Sequence, residues 1–122
     1  MNGNTNFYID KNAMNDLIKK QISNLKQAHF CILCWAAEAE AKEIRYNITN
    51  IFDDLKYGGI TRTKQSAVAY IKTLQILYFI DLRDESNRKN IYITNYGAKA
   101  IEYLASEEKF KTKQSMFLED KK

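Results

Sequence analysis

The sequence predicts a mainly α-helical fold that carries one small β-hairpin. Two observations support this. Apolar residues return at three- and four-residue spacings over most of the chain. The β-branched and aromatic run Ile91-Tyr92-Ile93-Thr94 faces a second apolar run, Leu77 to Leu82, across the polar stretch Arg83 to Asn90. The length of 122 residues suits one domain, and 45% apolar residues is too many for a disordered tail. Four Gly and no Pro exclude proline-rich and collagen-like chains. No apolar run approaches the roughly 18 residues of a transmembrane helix, so no membrane association is expected. Met1 to Phe7 is polar and lacks the pattern of a secretory signal. A cytoplasmic protein is expected, and two Cys do not make a disulfide scaffold.

Residues 1–9 read as a flexible start, 10–118 as a single folded unit and 119–122 as a tail. Asp10 is an N-cap candidate, followed by Met14, Leu17, Ile18, Ile22 and Leu25 at helical spacing. A polar break at Asn24 to Gln27 precedes a second helix, about Gln27 to Lys42. Its first half is apolar (Ala28, Phe30, Ile32, Leu33, Trp35, Ala36), and its second half, Ala37 to Glu43, is expected to be solvated. Ile44 to Asn47 reads as a short strand. Asn47 or Thr49 then caps a short helix through Ile51, Phe52 and Leu55, ended by Gly58-Gly59. Thr63 caps the next helix, whose buried stripe is Ala67, Tyr70, Ile71 and Leu74. The two strands and their charged hairpin follow. A last helix begins near Gly97 and either continues toward Phe117 and Leu118 or breaks near Ser106.

That order is the layout of a winged helix-turn-helix. One short helix braces a second, which offers its N-terminal half to the DNA major groove, while the charged hairpin reaches flanking DNA. The charge distribution agrees. Between Thr61 and Lys99 stand Arg62, Lys64, Lys72, Arg83, Arg88, Lys89 and Lys99, against Asp81, Asp84 and Glu85. The whole net charge of +4 falls in that segment, because the remaining residues carry twelve bases and twelve acids. A local basic excess is the footprint of a polyanion-binding face, although an uneven surface without function is the competing reading.

The stretch Asn87-Arg88-Lys89-Asn90-Ile91-Tyr92-Ile93-Thr94-Asn95-Tyr96-Gly97 resembles the wing signature of the MarR-type regulators, Asp-x-Arg-(Ser/Thr)-Val-x-Leu-Thr-x-x-Gly. Ile91, Ile93, Thr94 and Gly97 match in kind and spacing. Thr63 to Leu74 resembles the family's recognition helix, and the resemblance spans about Ala28 to Leu104. Asn87 and Lys89 depart from the Asp and Arg of the signature, and Lys lacks the planar fork of Arg. Tyr78 stands where the family commonly has Gly, so a different turn is expected there. The resemblance implies a homodimer on a pseudo-palindromic double-stranded operator, generally a repressor, with terminal helices (about 10–27 and 97–118) forming the dimer interface. It also allows a small aromatic effector between the dimerising and DNA-binding parts.

The DNA-contact candidates are Arg62, Thr63, Lys64, Gln65, Ser66, Ala69, Lys72 and Thr73 on or just before the recognition helix, with Arg83, Arg88 and Lys89 on the wing. Amides at the helix start favour phosphate, and Gln65 suits an adenine edge. A solvated helix start and a hairpin charged for solubility are the alternatives. For the dimer interface the candidates are Met14, Leu17, Ile18 and Ile22 at one end and Phe110, Met116, Phe117 and Leu118 at the other. Cys31 and Cys34, with His29 nearby, suggest either a redox or metal site or, more commonly, core packing. Zinc wants four ligands and only three stand here, so no metal or cofactor is expected. The tyrosines suit packing better than a base-stacking platform. One His and no phosphate-loop spacing leave no catalytic site, so the chain is read as no enzyme. A winged-helix module for protein–protein contact, or a plasmid or phage accessory without its own operator, is the alternative function.

Overall fold

The computed structural model describes residues 11–119, with side chains described from Asp16 onward. Asp10, residues 1–9 and the last three residues lie outside that range, and so does the Met14 side chain. The elements are α1 (Lys11–Ile22), α2 (Gln27–Ala41), α3 (Ile48–Tyr57), α4 (Lys64–Ile76), β1 (Ile80–Glu85), β2 (Arg88–Ile93), α5 (Asn95–Ser106) and α6 (Met116–Glu119). The predicted mixture of helices and one antiparallel hairpin is what forms.

Helix α2 is the axis of the core. It is apolar on nearly all sides, and Ala28, Phe30, Cys31, Ile32, Leu33, Trp35 and Ala36 are all buried. It packs on α4, α5, α6 and β2. Its second half is less solvated than its Ala/Glu alternation suggests, because Ala39 is buried with the core. Asn47 caps α3 by accepting the Asn50 amide at 2.9 Å. Thr63 caps α4 and Thr94 caps α5 in the same way, through the amides of Ser66 and Gly97. In the turn after α3, Gly59 takes the left-handed conformation at φ 73°, while Gly58 stays right-handed.

The expected strand at Ile44 to Asn47 is reduced to a single bridge, Asn47 to Asn90, with the Ile91 amide donating to the Tyr46 carbonyl at 2.8 Å. The first hairpin strand starts three residues later than expected, since Leu77 closes α4 and Tyr78 makes the turn. Tyr78 departs from expectation in an instructive way. It adopts the left-handed φ of 62° that Gly would supply, so the turn is kept and the side chain bears the strain. The Thr94 hydroxyl donates to the Tyr78 carbonyl at 2.6 Å, and the Phe79 amide donates to Leu74 at 2.9 Å, which fixes the turn. Gly97 follows from the same crossing: a Cβ there would meet the Phe79 carbonyl oxygen at 2.0 Å.

The last helix breaks at Ser106 rather than running on. The chain then returns across the core as an extended strap. Gln27 clasps Lys111 in both directions, the Trp35 indole donates to the Lys113 carbonyl at 2.7 Å, and Phe110 stacks on Phe30 at 5.6 Å. Asp54, 1% exposed, anchors the end of the strap. It accepts from the Tyr46 hydroxyl at 2.5 Å, the Ser115 hydroxyl and the Phe117 amide at 3.1 Å.

Candidate nucleic-acid interface

Residues 64, 68, 71, 72 and 75 share one side of α4, since they fall three or four apart. That side faces the wing. Between them lies a cleft of about 690 Å³, lined by Lys64, Val68, Ile71, Lys72 and Gln75 from α4, by Leu82, Asp84, Asn87, Arg88 and Lys89 from the hairpin, and by Asn47, Ile48 and Thr49 at the start of α3. The hairpin turns through Ser86 and Asn87, both with positive φ (51° and 65°), as a two-residue turn of the primed type requires. Asn tolerates that conformation, so Asn87 serves the turn.

Four cations therefore meet around one carboxylate, Asp84. They are not equivalent. Lys89 faces Asp84 across the ladder and pairs with it at 3.2 Å. Lys64, Lys72 and Arg88 are exposed, with no carboxylate partner among the described residues. Arg83 sits opposite Asn90, on the other face of the hairpin from Leu82 and Asp84. It is held by Asp81 at 3.1 Å and lies over the Tyr92 ring at 4.1 Å. On that same face Glu85 accepts from the Tyr92 hydroxyl at 2.6 Å and the Asn90 amide at 2.7 Å, and these bonds hold its carboxyl below the usual range. Arg88, opposite Glu85 at the end of the ladder, shares that face and also borders the cleft.

Of the sequence candidates, Lys64, Lys72, Arg88 and Lys89 come together in the cleft, and Arg83 does not. Arg62, Gln65, Ala69 and Thr73 are exposed beside it. The hydroxyls of Thr63 and Ser66 are engaged in the cap, at 2.9 Å from each other. Sequence reasoning missed Val68, Gln75 and Thr49, although the spacing 64-68-72 carried the signal for Val68.

Several other candidates are placed elsewhere. Leu118 and Ile22 are buried in the chain's own core at 0% and 5% exposure, so they have no surface to offer a second copy. Phe110 packs on Phe30, and Phe117 lies 5.9 Å from the Tyr46 ring. Leu17 is 51% exposed and Met116 41%. Leu17 and Ile18 line a second, largely apolar cleft of about 600 Å³ with Leu77, Tyr78, Phe79 and Tyr96. Cys31 is buried and Cys34 half-buried, and burial pushes both thiols up, Cys34 to about 11. Such thiols are poor nucleophiles at neutral pH, which favours the packing role. Among the described residues, no group of three or more His, Cys, Asp or Glu side chains is placed to hold a metal. No helix among them is long and apolar enough to cross a membrane.

A short helix, a glycine turn, a second helix and an antiparallel hairpin on one helical core define the winged helix-turn-helix class. No family model matches the sequence, and no curated protein matches it. A solved structure of a mutant of S. aureus MepR bound to an oligodeoxyribonucleotide is similar in fold, with a TM-score of 0.53 and 19% identity. The match covers 79% of this chain and 68% of that one. The chain shares the winged-helix fold of MepR, a MarR-family regulator.

Proposed function

We propose that this chain is a sequence-specific double-stranded DNA-binding regulator of transcription, acting as a repressor, with α4 in the major groove and the hairpin on flanking DNA. The observation that carries this is the cleft itself, where three unpaired cations from two elements converge beside a helix start. The DNA bound to the structurally similar MepR mutant supports the same reading. Phosphate-driven binding weakens steeply with salt, with a log–log slope near −0.9 for each phosphate neutralised. Titration of random duplex at two salt concentrations tests it, and no binding at low salt refutes it.

The regulator acts as a homodimer on a two-fold operator. With Leu118 and Ile22 consumed within the chain, the contact falls to α1, where Leu17 is exposed beside the second cleft. Light scattering at micromolar concentration is expected to give a dimer, and Leu17→Lys a monomer. A monomeric wild type refutes the assignment. The second cleft, between α1 and the turn at Tyr78, is the place for a small aromatic effector, being apolar and within the usual size of ligand sites.

A further inference from the structure

Val68 is poorly explained by stability. It stands in the second turn of α4, 40% exposed, in the row with Lys64, Lys72 and Gln75 that faces the wing. The other apolar side chains lining that cleft, Ile48, Ile71 and Leu82, are buried or half-buried. Helix propensity does not favour it either, since Val ranks below Ala, Lys and Gln on a helix surface. What Val does supply is rigidity. A β-branched side chain in a helix keeps essentially one χ1 rotamer, so its two methyl groups point in a fixed direction.

Its position among charges is equally specific. Lys64 and Lys72 are eight residues apart, about 12 Å along the axis. The major groove is also about 12 Å wide. Set across the groove, the shared side of α4 presents Val68 midway between the two lysines, whose long side chains reach its phosphate edges. That floor presents hydrogen-bonding groups of guanine, adenine and cytosine, and one apolar group, the C5-methyl of thymine. Val68 has no donor or acceptor. Against a polar base edge it would displace water and replace none of its hydrogen bonds.

We infer that Val68 specifies a thymine at one position of each half-site by packing on its C5-methyl. The inference rests on the DNA-binding function proposed above and names the base that site reads. Duplexes selected from a random pool define the preferred site. Each thymine is then replaced by deoxyuridine, which removes the methyl and leaves the hydrogen-bonding edge unchanged. The wild type is expected to lose about fourfold in affinity at one such position per half-site, the worth of one buried methyl group. Val68→Ser is expected to bind the two duplexes equally there. Indifference of the wild type to every replacement overturns the inference and needs no variant. A Val68→Ser protein that keeps the wild-type ratio also overturns it. If no duplex binds at low salt, the proposed function fails and takes this inference with it. Salt-sensitive binding that ignores the methyl group removes this inference alone.

Discussion

Neutralising Lys64, Lys72 and Arg88 together separates the cations that are free to meet phosphate from those already engaged. These three are exposed in the cleft with no carboxylate partner among the described residues. Lys89 is held by Asp84 at 3.2 Å, and Arg83 by Asp81 at 3.1 Å on the opposite face. At about 0.9 in slope for each phosphate neutralised, the triple alanine variant loses about 2.7 from the log–log salt dependence per subunit. Between 50 and 200 mM salt, the wild type then weakens roughly 40-fold more per subunit than the variant. Arg83→Ala should leave the slope unchanged, and Lys89→Ala should lower it by less than Lys64→Ala. Fluorescence anisotropy on a labelled duplex over that salt range reads the slopes, with melting curves checking that the fold persists. All three substitutions replace exposed side chains, so the melting temperature should move little. An unchanged slope in the triple variant refutes the assignment of the cleft. A slope reduced as much by Arg83→Ala as by Lys64→Ala refutes the division into free and engaged cations.

Three stability predictions bear on the frame that holds the cleft. Asp54→Ala strands the Tyr46 and Ser115 hydroxyls and the Phe117 amide and is expected to cost about 3 kcal/mol in denaturant unfolding; a loss below about 1 kcal/mol refutes its anchoring role. Gly97→Ala drives a methyl group onto the Phe79 carbonyl and should cost about 3 kcal/mol, so near-neutrality in the same assay would show that the strand-to-helix crossing is looser than described. Burial and Lys26 hold His29 down to about 4, whereas an unfolded His takes its proton near 6.5, so its contribution is complete above 6.5 and is lost as pH falls to about 4. His29→Phe should flatten the decline in stability across that window, and a difference between wild type and variant that does not change with pH refutes it.

What the sequence revealed was local chemistry. Asn47 and Thr63 announce helix starts because a side-chain acceptor three residues ahead of an amide is a short-range device. Gly97 was marked by a motif, and the structure gives the reason in one backbone oxygen. The boundary at Leu77 to Phe79 was misplaced because a short apolar run fits a strand or a helix end equally well. Tyr78 conceals that the turn keeps a left-handed backbone, since nothing in an aromatic side chain signals one. The strap was beyond reach for another reason. Its defining bonds join Trp35 to Lys113 and Asp54 to Ser115, across 78 and 61 residues, and periodicity carries no information at that range.

The strap changes how the apolar C-terminal residues bear on assembly. As sequence, Phe110, Phe117 and Leu118 look like a surface in search of a second copy. In the fold, Leu118 is fully buried, and its amide is satisfied by the Ser115 hydroxyl at 2.9 Å. Ser115 in turn donates to Asp54, which belongs to α3, the bracing helix of the helix-turn-helix. The C-terminal end thus ties the helix-turn-helix to the core through Asp54. Any dimer built on α1 leaves this link intact. A dimer that used Leu118 would have to extract a buried leucine and break the Asp54 cluster in each copy. Leucine burial alone is worth about 2 kcal/mol, before the stranded polar groups are counted. The α1 face, already exposed at Leu17, carries no such cost, and this difference is why the proposed two-fold contact is assigned there.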